Sequence, residues 1–151
     1  MKFSTREDIE APLDHVFAKV SNFDSFERSM LRRGVKISRS RSEVVQGTTW
    51  RAEFRFRGKQ RELDLTLGAI DPDAGYQIDF TSSGLAGQSK VELVPLSPIR
   101  TRLMVETTLS PKTLAARLLV QSLKLAKANL TKRYKNRIAN LAEEIELSYK
   151  P

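Results

Sequence analysis

The chain reads as an α+β protein: an antiparallel sheet of seven strands covered on one face, a long C-terminal helix, and two short helices after the first strand. Three observations carry this. Between Val35 and Leu109 the sequence runs as short alternating stretches separated by turn residues. After Pro111 about 35 residues rich in Leu, Ala, Lys and Arg pass without a glycine or an internal proline. Between the opening strand and the first alternating run lie two short stretches of helical spacing.

Residues 3–10 alternate, with Phe3, Thr5, Glu7 and Ile9 on one face. Ala11-Pro12 ends this strand, because proline lacks the N–H a ladder needs yet suits a first helical turn. Val16, Phe17 and Val20 then share one helical face. Ser21-Asn22 offers a stop and a new cap, and Phe23, Phe26, Met30 and Leu31 repeat at three-to-four spacing as far as Arg33-Gly34.

Strands are expected over 35–41, 48–57, 59–70, 76–82, 88–95 and 101–109. The clearest, "TWRAEFRFRGK", sets Trp50, Ala52, Phe54 and Phe56 against Arg51, Glu53, Arg55 and Arg57 before Gly58 turns the chain. Leu63, Leu65, Leu67 and Ala69 continue the apolar side of the next run, and Tyr76, Ile78 and Phe80 that of the one after "DPDAG". One apolar side per strand marks an antiparallel sheet covered on a single face. The final stretch is expected as one uninterrupted helix, with Leu119, Leu123, Ala126, Leu130, Tyr134, Ile138, Leu141 and Ile145 as its apolar stripe. Leu114, Leu118 and Leu125 are expected to widen that face inward.

A length of 151 residues suits one domain, 1–151, that buries a sizeable core. With no cysteine, disulfides and thiolate chemistry are excluded. The polar N-terminus does not resemble a signal peptide, and no run of about 18 apolar residues occurs, so a cytoplasmic protein is expected. The formal charge is +8. Between Thr107 and Ala142 stand eight basic residues and no acid, which equals the whole excess. Arg117, Lys124, Lys127 and Lys135, with Lys132 adjacent, form a basic face whose ordinary role is solvation.

The order of elements resembles the START-like, or helix-grip, superfamily: the SRPBCC proteins, which include polyketide cyclases, the birch pollen allergen and coenzyme-Q-binding proteins. The resemblance spans the chain and rests on "IEAPLDHVFAKVSNFDSFE", on "GTTW" opening a strand, on "TRLMVETTL" as the last strand and on the terminal helix. It implies a curved sheet gripping the long helix, often around an apolar cavity. It also implies that the helix pair acts as a buttress and not as a site.

No Gly-rich phosphate loop, nucleophile elbow or paired-carboxylate motif is present. The single histidine, His15, is expected as a solvated helix residue, so histidine catalysis and histidine metal ligation are demoted and neither metal nor cofactor is expected. Glu7 shares inward parity with Thr5 and is expected either to serve as a polar handle facing Arg61 or to lie in water at the barrel mouth. A lining of Trp50, Phe54, Phe56, Leu63, Leu65, Tyr76, Ile78 and Phe80 is expected from the strands, with Leu103 and Val105 from the last strand. Leu118 and Ser122 of the long helix are expected near the Trp50 indole.

The leading expectation is therefore binding of an apolar small molecule (a lipid, a polyketide or a quinone-like compound) between sheet and C-terminal helix, without an identifiable acid-base apparatus. One alternative is a surface module docking the basic helix on an anionic membrane, an acidic protein or nucleic acid. Nucleic acid is disfavoured because the aromatics read as inward and are not interleaved with the basic residues. The other alternative is a cyclase- or dehydrase-like enzyme.

Overall fold

A computed structural model describes residues 1–151. Strand β1 (Lys2–Ile9) leads into α1 (Leu13–Val20) and α2 (Phe23–Arg32). Six strands follow: β2 (Lys36–Arg39), β3 (Thr49–Phe56), β4 (Lys59–Asp71), β5 (Gly75–Ser82), β6 (Leu85–Ser97) and β7 (Arg100–Pro111). Helices α3 (Leu114–Leu125) and α4 (Lys127–Ser148) close the chain. The strands form one sheet in the order β1-β7-β6-β5-β4-β3-β2, antiparallel throughout. This is the helix-grip α+β architecture.

Strands β1 and β2 are opposite edges of the sheet, so the chain between Ile9 and Lys36 must cross its full width. The helix pair is that crossing. Pro12 stands at the N-cap of α1 with φ −63°, and Val16 and Val20 are its buried residues. The Asn22 side chain accepts the Ser25 backbone N–H at 3.2 Å and so caps α2, a contact ordinarily worth about 1 kcal/mol. Thr101 on β7 is fully buried and donates its hydroxyl to the Ala11 carbonyl at 2.9 Å, which ties the start of the crossing to the sheet. Tyr76 does the same for the end of α1, donating to the Val20 carbonyl at 2.6 Å.

Two tight turns shape the end of the sheet nearest α3. Arg57 and Gly58 both take positive φ (52° and 72°), as do Ser83 and Gly84 (44° and 81°). That is the two-residue hairpin geometry whose twist matches the flanking strands. The second turn extends β6 back to Leu85, three residues before the strand expected at 88–95.

Two expectations fail. The first concerns β4, where the register with β5 shifts between Leu67 and Ile70. The extra residue of a bulge flips parity beyond it, so Ala69 points to solvent and Ile70 packs against the core. The second concerns the C-terminal helix, which breaks at Ala126 (φ −104°, ψ 14°). The Ala126 N–H bonds the Leu123 carbonyl at 3.0 Å, a tightened final turn, and regular bonding resumes from Leu130 N–H to Ala126. The two segments rest on different parts of the sheet, α3 against β7 and α4 against β1. Seating both Ala116 and Val120 of α3 and Ala142 and Ile145 of α4 thus requires a change of direction. As a result Leu114, Leu118 and Leu125 do not widen the inward face; they are 72%, 59% and 92% exposed.

Burial pushes the Tyr76 hydroxyl above the ordinary tyrosine range. A folded-state pKa raised above the unfolded one gives stability that is complete below about pH 10 and is lost as pH rises further. Thermal melting of the parent should therefore fall above about pH 10. Tyr76→Phe should cost about 1 kcal/mol at neutral pH through the lost bond to Val20 and should flatten that alkaline fall. An equally steep fall in both proteins would show that Tyr76 is not its source.

Candidate functional site: an apolar cavity under the second helix

The side chains of α2 at 23, 26, 27 and 30 share one helical face and point at the sheet. Opposite them stand Ile37 of β2, Trp50, Ala52 and Phe54 of β3, Leu63 and Leu65 of β4, and Tyr76 and Ile78 of β5. Between these surfaces lies a cavity of about 460 Å³ whose lining is apolar except for Glu27. Phe23 is the pillar at one end: its ring centroid lies 5.3 Å from that of Trp50 and 5.2 Å from that of Tyr76.

Glu27 is not free. Its Oε1 accepts the Trp50 indole N–H at 2.6 Å and the Arg39 Nε–H at 2.7 Å. Arg39 also pairs with Asp24, one turn earlier on α2. The Arg39 side chain is only 13% exposed, and its bonds to Glu27 first, then Asp24, hold it firmly in the charged form. A buried charge is tolerated only when paired in this way. The network joins α2 to the edge strand β2 and to β3 and fixes the height of the cavity roof.

A second apolar hollow, about 410 Å³, lies between the β3–β4 and β5–β6 turns and α3. Phe54 and Leu63 line both hollows, so the two adjoin. Phe56 and Phe80 line the second from the sheet, and Leu119 and Leu123 from α3. Ser122 of α3 does not line it: its hydroxyl accepts from Arg57 at 2.7 Å and donates to the Leu119 carbonyl at 2.7 Å. Arg57 and Arg61 stand over the Phe56 ring at 5.3 Å and 5.5 Å from its centroid.

Of the side chains expected to line a cavity, Trp50, Phe54, Leu63, Leu65, Tyr76 and Ile78 meet in the first hollow, and Phe56, Phe80 and Arg61 in the second. Leu103 is fully buried core. Val105 packs against the core; with Thr5, its partner across β1 and β7, it also borders a separate polar depression beside Lys90, Glu92 and Glu106. Glu7 is half-buried opposite Leu103 and forms no ion pair with Arg61, which lies three intervening strands away in the sheet order. Trp50 is inward as parity requires, but its neighbours are Phe23 and Glu27 of α2, not Leu118 and Ser122. Leu118 faces solvent because the α3 stripe that seats against the sheet is Ala116 and Val120.

The helix pair is thus more than a buttress, since α2 supplies one wall of the larger cavity. His15 is likewise not merely solvated: its Nε2 lies 3.1 Å from the Ile145 carbonyl and 3.0 Å from the Ser148 hydroxyl, at the last turn of α4. Arg117, Lys124, Lys127, Lys132 and Lys135 are exposed, and none takes part in an ion pair. Glu27 is the site residue that strand parity could not supply. Its signal was helical: it stands four residues after Phe23 and three before Met30, an acid inside an apolar stripe.

No protein-family model and no curated protein matches the chain. Solved structures do match. Norcoclaurine synthase from Thalictrum flavum, in complex with dopamine and hydroxybenzaldehyde, is 14% identical, with 100% of this chain and 88% of that chain covered at a TM-score of 0.68. The Zhui aromatase/cyclase from Streptomyces sp. R1128 is 13% identical over 97% and 93%, TM-score 0.64. A START superfamily protein from Mycobacterium smegmatis is 16% identical over 87% and 95%, TM-score 0.50. Likeness at this level establishes the fold.

Replacing Glu27 tests the network. Glu27→Ala leaves the Trp50 N–H without its acceptor and takes from Arg39 one of its two carboxylate partners, Asp24 remaining, and should cost about 2 kcal/mol in urea unfolding. Glu27→Gln, which keeps an acceptor oxygen, should recover part of that loss. An unchanged unfolding midpoint in Glu27→Ala would show that the network does not secure α2.

Proposed function

We propose that this protein binds a lipophilic small molecule in the cavity between α2 and strands β2–β5, holding it without chemical change. The supporting observation is the lining: of the residues around about 460 Å³, only Glu27 is charged. That volume falls within the range of small-molecule sites, which are apolar with a few polar groups that orient the ligand. Burial of apolar ligand surface supplies the affinity, at about 25 cal/mol per Å² before the costs of association. Glu27 adds a directional preference: Oε1 is engaged by Trp50 and Arg39, and its second oxygen can accept from a ligand hydroxyl or N–H. A planar or alicyclic compound of lipid, polyketide or quinone-like character with one donor group fits this description.

A cyclase-like reading finds less support. Acid-base turnover needs a group able to give or take a proton in reach of the substrate. The only titratable side chains on the lining are Tyr76, whose hydroxyl is committed to Val20, and Glu27, whose Oε1 is committed to a cation and an indole.

Trp50 reports on occupancy. Its emission should be blue-shifted in the free protein, weakly quenched by iodide, and should change saturably as an apolar ligand with one hydroxyl, such as a naphthol or a fatty alcohol, is added. Native mass spectrometry should show the same ligand retained. Ala52→Leu, which fills part of the cavity, should weaken binding on the order of tenfold, equivalent to about 1.4 kcal/mol. Val94→Ala, on the exposed far part of β6, should leave binding unchanged. Freely quenched, water-like emission with no saturable response to any such ligand would refute the proposal.

A further inference from the structure

Helix α3 carries its leucines on the wrong side for a core helix. Leu114, Leu118 and Leu125 recur at spacings of four and seven, so they lie in one narrow strip along the helix. That strip is 72%, 59% and 92% exposed, while Ala116 and Val120 face the sheet. Isolated exposed leucines are ordinary, but a ridge of three on one helix is not. Arg117 and Lys124, also seven apart, run in a strip beside it, with Lys112 before the helix and Lys127 just after it.

The charges around the ridge are all of one sign. No acid stands between Thr107 and Ala142. None of the eight basic residues in that interval is used in an ion pair; the cations of the structure's salt bridges come from elsewhere in the chain. The β3–β4 turn, held against α3 by the Arg57–Ser122 bond at 2.7 Å, adds Arg55, Arg57, Lys59 and Arg61, which are likewise free of ion pairs. A leucine ridge edged by unpaired Lys and Arg matches an anionic lipid surface in both its parts: the apolar strip enters the headgroup and acyl boundary while the cations meet lipid phosphates and carboxylates.

We propose that the α3 face, together with the β3–β4 turn, docks on an anionic membrane by inserting Leu114, Leu118 and Leu125. No helix of the protein is long and apolar enough to cross a membrane, so the association is interfacial and reversible. It stands independently of the cavity ligand, although it would bring the hollow lined by Leu119 and Leu123 to the lipid surface.

Because the chain has no cysteine, Leu125→Cys carries a single polarity-sensitive fluorophore. On phosphatidylcholine vesicles containing phosphatidylserine its emission should shift to the blue, whereas heparin, a soluble polyanion, should give no such shift. In co-sedimentation at low salt the parent should bind these vesicles and not pure phosphatidylcholine. Leu114→Ser/Leu118→Ser, with an unchanged circular dichroism spectrum, should lose binding on the order of tenfold. Arg117→Glu/Lys124→Glu should lose it as steeply, as should added salt, since exposed charges are screened beyond about 8 Å at physiological ionic strength. The proposal is overturned if the parent ignores phosphatidylserine vesicles at low salt, or if the serine variant binds as well as the parent. It is also overturned if the parent is a dimer in light scattering that the serine variant dissolves, because the ridge would then be covered by a second copy.

Discussion

The Glu27 carboxylate holds α2 and the sheet apart around the larger cavity. A helix laid over an apolar sheet face would ordinarily settle until its side chains interdigitate with those of the sheet. Here Phe23 stands between α2 and the rings of Trp50 and Tyr76 at the helix N-terminus. One turn later Glu27 fixes the distance by two hydrogen bonds to groups on β2 and β3. Ring at one end and network at the other keep the helix off the strands, and the cavity is the space that results. Removing Glu27 would leave the indole N–H of the buried Trp50 unpaired and deprive the partly buried Arg39 of one partner, which is why the arrangement resists collapse.

Apolar volume and polar anchoring are thus separated on α2. Phe26 and Met30 line the space and make no polar contact, while Asp24 and Glu27 engage Arg39 at the sheet edge. The edge strand β2, only four residues long, takes part chiefly through Arg39. A short edge strand stapled to a helix by an ion pair also avoids presenting a long unpaired ladder to other chains. Glu27, which lines the cavity and pairs with Arg39, therefore also helps protect one open side of the sheet.

At the other end of the sheet the C-terminal segment divides its tasks at Ala126. Helix α4 buries Ala142 and Ile145 beside β1, and His15 of α1 meets its last turn. Helix α3 seats small residues against the sheet and turns its larger ones outward. The charge distribution follows the same division: acids return only from Glu143 onward, after the segment that carries the leucine ridge has passed.

How much of this was legible in the sequence follows from the range of the interactions involved. Strand parity is a local property, so the inward placement of Trp50, Phe54, Leu65, Tyr76 and Ile78 could be read from alternation alone, as could the Pro12 and Asn22 starts of the two helices. The order of elements sufficed for the helix-grip architecture. The partner of a side chain is not local. Nothing in "TWRAEF" says that the indole meets a glutamate 23 residues earlier, and the acid on the stripe of α2 acquires meaning only when Arg39 closes over it. Parity after Leu67 was lost to a bulge that spans Gly68, an isolated glycine in a strand pattern whose warning the alternation of Leu63, Leu65 and Leu67 masked. The break at Ala126, in a stretch of good helix formers, was silent, because it follows from seating α3 on β7 and α4 on β1. Sequence by itself determined which residues are apolar on which face of each element. Only the packing of those elements decided that the cavity lies under α2 and that the leucines of α3 face outward, because burial is settled by surfaces brought together from distant parts of the chain.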